Sequence, residues 1–244
     1  MNTFGRLFRI HIFGESHGKA LGVTIDGCPA GIPLSAADFE TDLQRRKSGA
    51  KGTTPRKESD KPELISGTFE EKTTGAPLAI LLRNENVRSK DYSNLKNSPR
   101  PGHADFVAQQ KFGGYADYRG GGHFSGRLTL TLTAAGVVAK KVCENLNIEA
   151  RLIEAGGERD IETAINKAIE ANQSIGGIVE CRVNNLPVGL GEPFFDSVES
   201  MLSHIVFAIP AIKGIEFGSG FQAAQMTGAE HNDNIIDAKG KTET

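Results

Sequence analysis

The chain has 244 residues, 38% hydrophobic and 24% charged, with a formal net charge of -2. That length suits one large domain or two small ones, and the near-neutral balance gives no support for a nucleic-acid or membrane-surface partner. No apolar stretch approaches 18 residues and no secretory h-region opens the chain, so neither a membrane-spanning helix nor a signal peptide is expected.

Leu7 to Phe13 reads as a strand running into the loop Gly14-Glu-Ser-His-Gly18. Val23 to Ile25 reads as a second strand. Ser35 and Asp38 have capping-box spacing at the head of a helix over residues 36–46, with Phe39 and Leu43 on one face. Residues 48–62 form a long basic loop with almost nothing apolar, of a kind that an anion would order. Strands are expected over Leu64 to Phe69 and Pro77 to Arg83, and a helix over Ala104 to Phe112. The longest apolar segment, Leu128 to Leu146, reads as a largely buried helix despite threonines at 129, 131 and 133. Further on come a helix over Ile161 to Asn172 and a strand over Gly177 to Val183. Asp196 and Glu199 are placed to cap a helix reaching about Ile209, and Ile212 to Phe217 reads as a strand. The mixture predicts an α+β fold, and strand pairs followed by helices in both halves suggest an internal duplication.

Three features point to chemistry. His17 lies between glycines and His103 follows Pro101 and Gly102, each on a short loop, and imidazoles titrate near neutrality. Arg45, Arg46, Lys47, Lys51, Arg56 and Lys57 follow the capped helix; they read either as a solvated charged face or as an anion clamp. The chain holds 29 glycines, above average usage of about 7%, including the run Gly120-Gly121-Gly122. Arg127 follows that run, near the start of the apolar helix, where backbone N–H groups favour a phosphate. The run is not a GxGxxG after a strand, which disfavours a dinucleotide site. Cys28, Cys143 and Cys181 are widely spaced, as expected of reduced thiols in a cytoplasmic protein with no metal site.

The ordered motifs resemble those of chorismate synthases. They are Phe13-Gly-Glu-Ser-His-Gly18, Gly31-Ile-Pro-Leu34, Asp42-Leu-Gln-Arg-Arg46, Thr73-Thr-Gly75, Arg88-Ser-Lys-Asp-Tyr92, Arg100-Pro-Gly-His-Ala-Asp105 and Asp117-Tyr-Arg-Gly-Gly-Gly122. The resemblance implies a sandwich of helices between two antiparallel sheets, a homotetramer and a small-molecule substrate. It also implies anti-1,4-elimination of phosphate from 5-enolpyruvylshikimate 3-phosphate, giving chorismate, with reduced FMN as cofactor. On that basis His17 stands near the departing phosphate and His103 near the flavin. Arg46 and Arg127 bind substrate, and Lys51 replaces a second substrate-binding arginine. His123, Phe124 and Ser125 occupy flavin-contacting positions, in a segment that departs from the family's Arg-Ser-Ser-Ala-Arg. Residues 1–244 are expected to form one chorismate-synthase-like domain, incomplete because the family continues for roughly another third. Two other readings stay open: a non-catalytic anion-binding or oligomer-forming remnant, and a histidine-dependent phosphohydrolase without flavin.

Overall fold

Apolar residues alternating with polar or small ones make three segments of this chain two-faced, and those segments pair. In the computed structural model, which describes residues 2–53, 56, 58–86 and 98–242, β2 (Arg9–Gly14), β3 (Ala20–Asp26) and β7 (Leu78–Arg83) lie side by side. With β1 (Thr3–Phe4) and β4 (Pro62–Ser66) they form an antiparallel sheet in the order β1-β2-β3-β7-β4. The register sets Ile10 against Ile25, Val23 against Ile80 and Leu21 against Leu82, so one face is continuously apolar. On the opposite face Phe13 pairs with Gly22, and its ring fills the space a Gly22 side chain would take.

Helices α1 (Glu40–Arg46) and α3 (Thr129–Val142) cover the apolar face. They bring Leu43, Leu130, Ala134, Val137 and Val138 into one cluster with Phe39 and the inward strand residues. Threonines ordinarily weaken a helix. Here the Thr131 and Thr133 hydroxyls donate to the carbonyls of Leu128 and Thr129 at 2.6 and 3.1 Å, which lets Thr131 sit fully buried. Two ion pairs at 2.6 Å, Lys140–Asp42 and Lys141–Asp38, tie the last turn of α3 to α1 and the turn before it. The second sheet pairs β8 (Asn147–Ala155) with β9 (Gly177–Asn184), and α4 (Ile161–Glu170) packs on β8. Arg45 of α1 donates to the Ala150 carbonyl of β8, so the helical layer meets both antiparallel sheets in an α+β arrangement. β5 (Thr68–Phe69), β6 (Lys72–Thr73) and α2 (Asp105–Lys111) are further elements of Met1–Val188, one of two compact units.

Several expected boundaries move. The helix over 36–46 opens as a 3-10 turn at Ala36–Phe39, with the Asp38 carboxylate accepting from the Ser35 N–H at 2.7 Å. The strand read through Leu64 to Phe69 breaks at Gly67 into β4 and β5. The helix expected to reach Leu146 stops at Val142; the chain turns over residues 143–145 and enters β8 at Asn147. That strand was not foreseen: Ile148, Ala150 and Leu152 alternate, but a bulge between Leu152 and Glu154 breaks the period.

The second unit, Gly189–Thr244, holds α5 (Val198–Val206), α6 (Gly228–His231) and 3-10 turns at Phe194–Asp196 and Gly220–Gln225. The cap of α5 is Ser197 rather than Asp196, its hydroxyl accepting from the Ser200 N–H at 3.3 Å. Ile212 to Phe217, expected as a strand, is irregular: a strand needs a ladder partner, and none pairs with it among the described residues.

Phe39 is fully buried where the helical layer meets the sheet. Phe39→Ala should therefore lower the unfolding free energy by about 3–5 kcal/mol in denaturant titration; a change near zero would mean that this cluster is not the core.

Candidate active site

The Gly120-Gly121-Gly122 run is a turn in which all three residues have positive φ, at 59°, 82° and 54°. Two histidine loops close on it from different parts of the chain. A Cβ on Gly120 would stand 2.3 Å from Nδ1 and Cε1 of His17, and one on Gly121 would stand 2.9 Å from Cε1 of His103. A Cβ on Gly122 would fall 2.1 Å from the Asp117 carbonyl oxygen. The Ser16 N–H donates to the Gly122 carbonyl at 3.0 Å, fixing the His17 loop to the turn. The structure thus brings together the two histidines that the sequence singled out.

His17 is buried. Its Nδ1 lies 3.3 Å from Ser16 Oγ, which also accepts from Arg56 Nη1 at 3.0 Å. The Ser16 hydroxyl thus links the Arg56 guanidinium to the His17 ring. Arg56 is held in turn by Glu58 at 2.6 Å, whose other oxygen accepts from the N–H groups of Glu85 and Asn86 at 2.8 and 3.1 Å. Burial, then the Arg56 and Arg119 cations, push the His17 pKa below 6.5, against the opposing pull of Asp117 and Glu58.

His103 is more open, with Nδ1 3.3 Å from Arg100 Nη2 and 3.2 Å from Asp105 Oδ1. Arg100 spans the Asp105 carboxylate through Nε and Nη2 at 2.8 and 2.9 Å, and these bonds hold its pKa at about 2. Nδ1 of His103 therefore faces both the Arg100 guanidinium and the ionised Asp105 carboxylate.

Arg46 and Arg127 meet behind His17 at a carboxylate the sequence reading missed. Arg46 ends α1; its Nε donates to Thr129 Oγ1 and its Nη2 to the Gly126 and Arg127 carbonyls, each at 3.3 Å. Arg127 is buried, with Nε donating to Asn84 Oδ1 at 2.8 Å. Asp60 lies between them, Oδ1 2.9 Å from Arg127 Nη2 and Oδ2 3.9 Å from Arg46 Nη1. Burial, followed by the nearby Arg127 and Arg56, lowers the Arg46 pKa, and Asp60 opposes them. Lys51 is exposed and forms no ion pair among the described residues; Lys57 and the Arg88–Tyr92 motif lie outside the described residues.

His123, Phe124 and Ser125 leave the glycine turn together. His123 Nδ1 donates to the Gly14 carbonyl at 2.8 Å, and Nε2 lies 2.9 Å from Asn2 Oδ1. Phe124 tilts against Phe112 with ring centroids 5.9 Å apart. Ser125 Oγ accepts from the Arg127 N–H at 3.3 Å and keeps its own hydrogen to donate. Glu58, Asp60 and Asn84 are further site residues. Glu58 and Asp60 were detectable only as acids ending a basic loop, and Asn84 carried no signal.

An α+β scaffold that gathers several arginines and two loop histidines near bare backbone defines an enzyme site for an anionic substrate. The sequence model of the family described as chorismate synthase matches residues 8–244. A chorismate synthase of Chitinophaga pinensis is 64% identical over 245 residues, covering 100% of this chain and 74% of that protein. One from Korarchaeum cryptofilum is 44% identical over 270 residues, covering 98% and 75%. A crystal structure of chorismate synthase superposes with a TM-score of 0.78 at 27% identity, covering 97% of this chain and 77% of the other. The chain belongs to the chorismate synthase family. That family consists of lyases of aromatic amino-acid biosynthesis, which eliminate phosphate from 5-enolpyruvylshikimate 3-phosphate to give chorismate and use reduced FMN.

Gly120→Ala should displace His17, since the added carbon meets the ring and the positive φ itself costs an L-residue about 1–2 kcal/mol. The expected result is a lower Tm together with an altered His17 NMR signal; an unshifted His17 resonance would contradict the packing.

Because folding lowers the His17 pKa, the stability linked to it is present above the unfolded value of 6.5 and is lost as pH falls below it. His17→Asn should flatten that acid limb of the stability profile, measured by denaturant unfolding between pH about 7 and 5. A limb of unchanged steepness would assign it to other groups.

Proposed function

We propose that this chain performs the family's elimination with the two-histidine turn as its chemical centre. His17 stands beside the departing phosphate, His103 faces the flavin, and Arg46, Arg127 and the exposed Lys51 serve the substrate's phosphate and two carboxylates. The observation that carries this reading is the approach of His17 and His103 to one glycine backbone, with Arg56, Arg100 and Arg119 close to the two rings. The family match across residues 8–244 disfavours the non-catalytic alternative.

The residues beside the turn fit a flavin. Phe124 and Phe112 offer aromatic surface, Ser125 offers a hydroxyl donor, and Gly126 has no atom within 4 Å of where a side chain would begin. We assign His123, Phe124 and Ser125 to hold it. Reduced FMN bound there would supply an electron transiently, with no net redox change. The chain's own part is positional and protonic. His17, its neutral form favoured by burial, is placed to hydrogen-bond a phosphate oxygen as the carbon–oxygen bond breaks. The surrounding arginines stabilise negative charge on the leaving group. His103, its Nδ1 between Arg100 and Asp105, leaves Nε2 to face the flavin.

We place the activity in the cytoplasm, supported by three free cysteines, two of them exposed. We expect a homotetramer, supported by apolar side chains exposed on β8 and β9, among them Ile148, Leu152, Ile178 and Val179.

Supplying 5-enolpyruvylshikimate 3-phosphate and reduced FMN should yield chorismate and inorganic phosphate. His103→Ala should lower turnover by about 10- to 10⁴-fold at saturating ligands. Flavin binding without turnover in the parent chain would favour the non-catalytic reading, and unchanged turnover in His103→Ala would remove that residue from the chemistry.

A further inference from the structure

Glu58 and Asp60 are both buried acids facing arginines, yet they are held differently. The Glu58 carboxylate accepts from Arg56 Nε and Nη2 at 3.0 and 2.6 Å and from two backbone N–H groups, so hydrogen bonds fully account for it. Asp60 Oδ1 lies 2.9 Å from Arg127 Nη2, but the guanidinium hydrogens do not point at it, and neither buried atom has a hydrogen-bond partner among the described residues. Arg127 turns its Nε to Asn84 and Arg46 turns its Nε and Nη2 to the Thr129 turn. Asp60 interacts with both as a charge. Its backbone sits at φ 52°, a left-handed conformation that aspartate and asparagine adopt more readily than most residues, so Asp60→Asn keeps the backbone compatible.

The grouping Arg46–Asp60–Arg127 carries two positive charges and one negative, with Asp60 and Arg127 buried and Arg46 partly exposed. Without the carboxylate, two like charges would face each other in a low dielectric. With it, the group retains a surplus of one positive charge, enough to attract an anion.

We propose that Asp60 is a positioning residue: an internal counter-ion that holds Arg46 and Arg127 together before the substrate's anionic group arrives and weakens their grip on that group by repulsion. This rests on the reading of Arg46 and Arg127 as substrate-binding cations. Its consequence is a pair of effects with opposite sign. Neutralising Asp60 removes an attraction that stabilises the empty site and a repulsion that opposes the bound anion. A carboxylate serving only to stabilise the fold would produce the first effect without the second.

The test compares the parent chain with Asp60→Asn, which has nearly the same shape. Melting curves are recorded in phosphate-free buffer and with increasing inorganic phosphate, and phosphate affinity is measured by calorimetry. Asp60→Asn should melt lower without phosphate, bind phosphate about tenfold more tightly than the parent, and recover more of its Tm as phosphate is added. Equal or weaker phosphate binding by a folded Asp60→Asn would overturn the counter-ion role while leaving the lyase assignment intact. Failure of Asp60→Asn to fold even in high phosphate would also overturn it, since the anion should replace the missing charge. Absence of phosphate binding by the parent would instead overturn the assignment of Arg46 and Arg127 on which the proposal stands.

Discussion

Two imidazoles can approach one stretch of backbone only where that stretch has no side chains. The turn at Gly120–Gly122 meets this condition three times in succession, with positive φ at each residue and His17, His103 and Asp117 occupying the space where Cβ atoms would be. The rest of the site depends on this approach. It draws the loop after β2 toward the loop before α2, and the segment leaving the turn delivers His123, Phe124, Ser125 and Arg127 to the same region. Steric necessity, rather than any single strong bond, sets the arrangement.

Cations gathered for a multiply charged substrate repel one another in its absence, and burial magnifies that repulsion. The protein meets the problem locally. Glu58 clamps Arg56, Asp105 clamps Arg100, Asp117 pairs with Arg119 at 2.8 Å, and Asp60 stands between Arg46 and Arg127. Each acid comes from the same chain segment as one of its arginines or from the end of the basic loop. The near-neutral overall charge of -2 therefore conceals a site in which positive and negative groups are finely interleaved.

The scaffold makes such a site tolerable. The sheet, α1 and α3 share a dry apolar cluster, and the polar groups lie where these elements end: the loop after β2, the last residue of α1, the loop after β7 and the turn leading to α3. Rigid elements thus hold charged side chains at their ends without admitting them to the core.

The sequence by itself determined the α+β class, the apolar faces of β2, β3 and β7 and the capped start of the helical segment before Arg46, and it singled out His17, His103 and the glycine run as candidates. These are local properties, readable from alternation, capping spacing and titratable residues among glycines. The extent of α3 and the existence of β8 were decided only when β9 offered a ladder, and Ile212 to Phe217 stayed irregular without one. The charge balance was also a tertiary outcome. That Asp60 would stand between Arg46 and Arg127, that Asn84 would take the Nε of Arg127, and that Ser16 would link Arg56 to His17 depends on segments far apart in the chain. A sequence shows which charges exist, but only folding sets the distances and burial that decide which of them neutralise one another and which remain to meet a substrate.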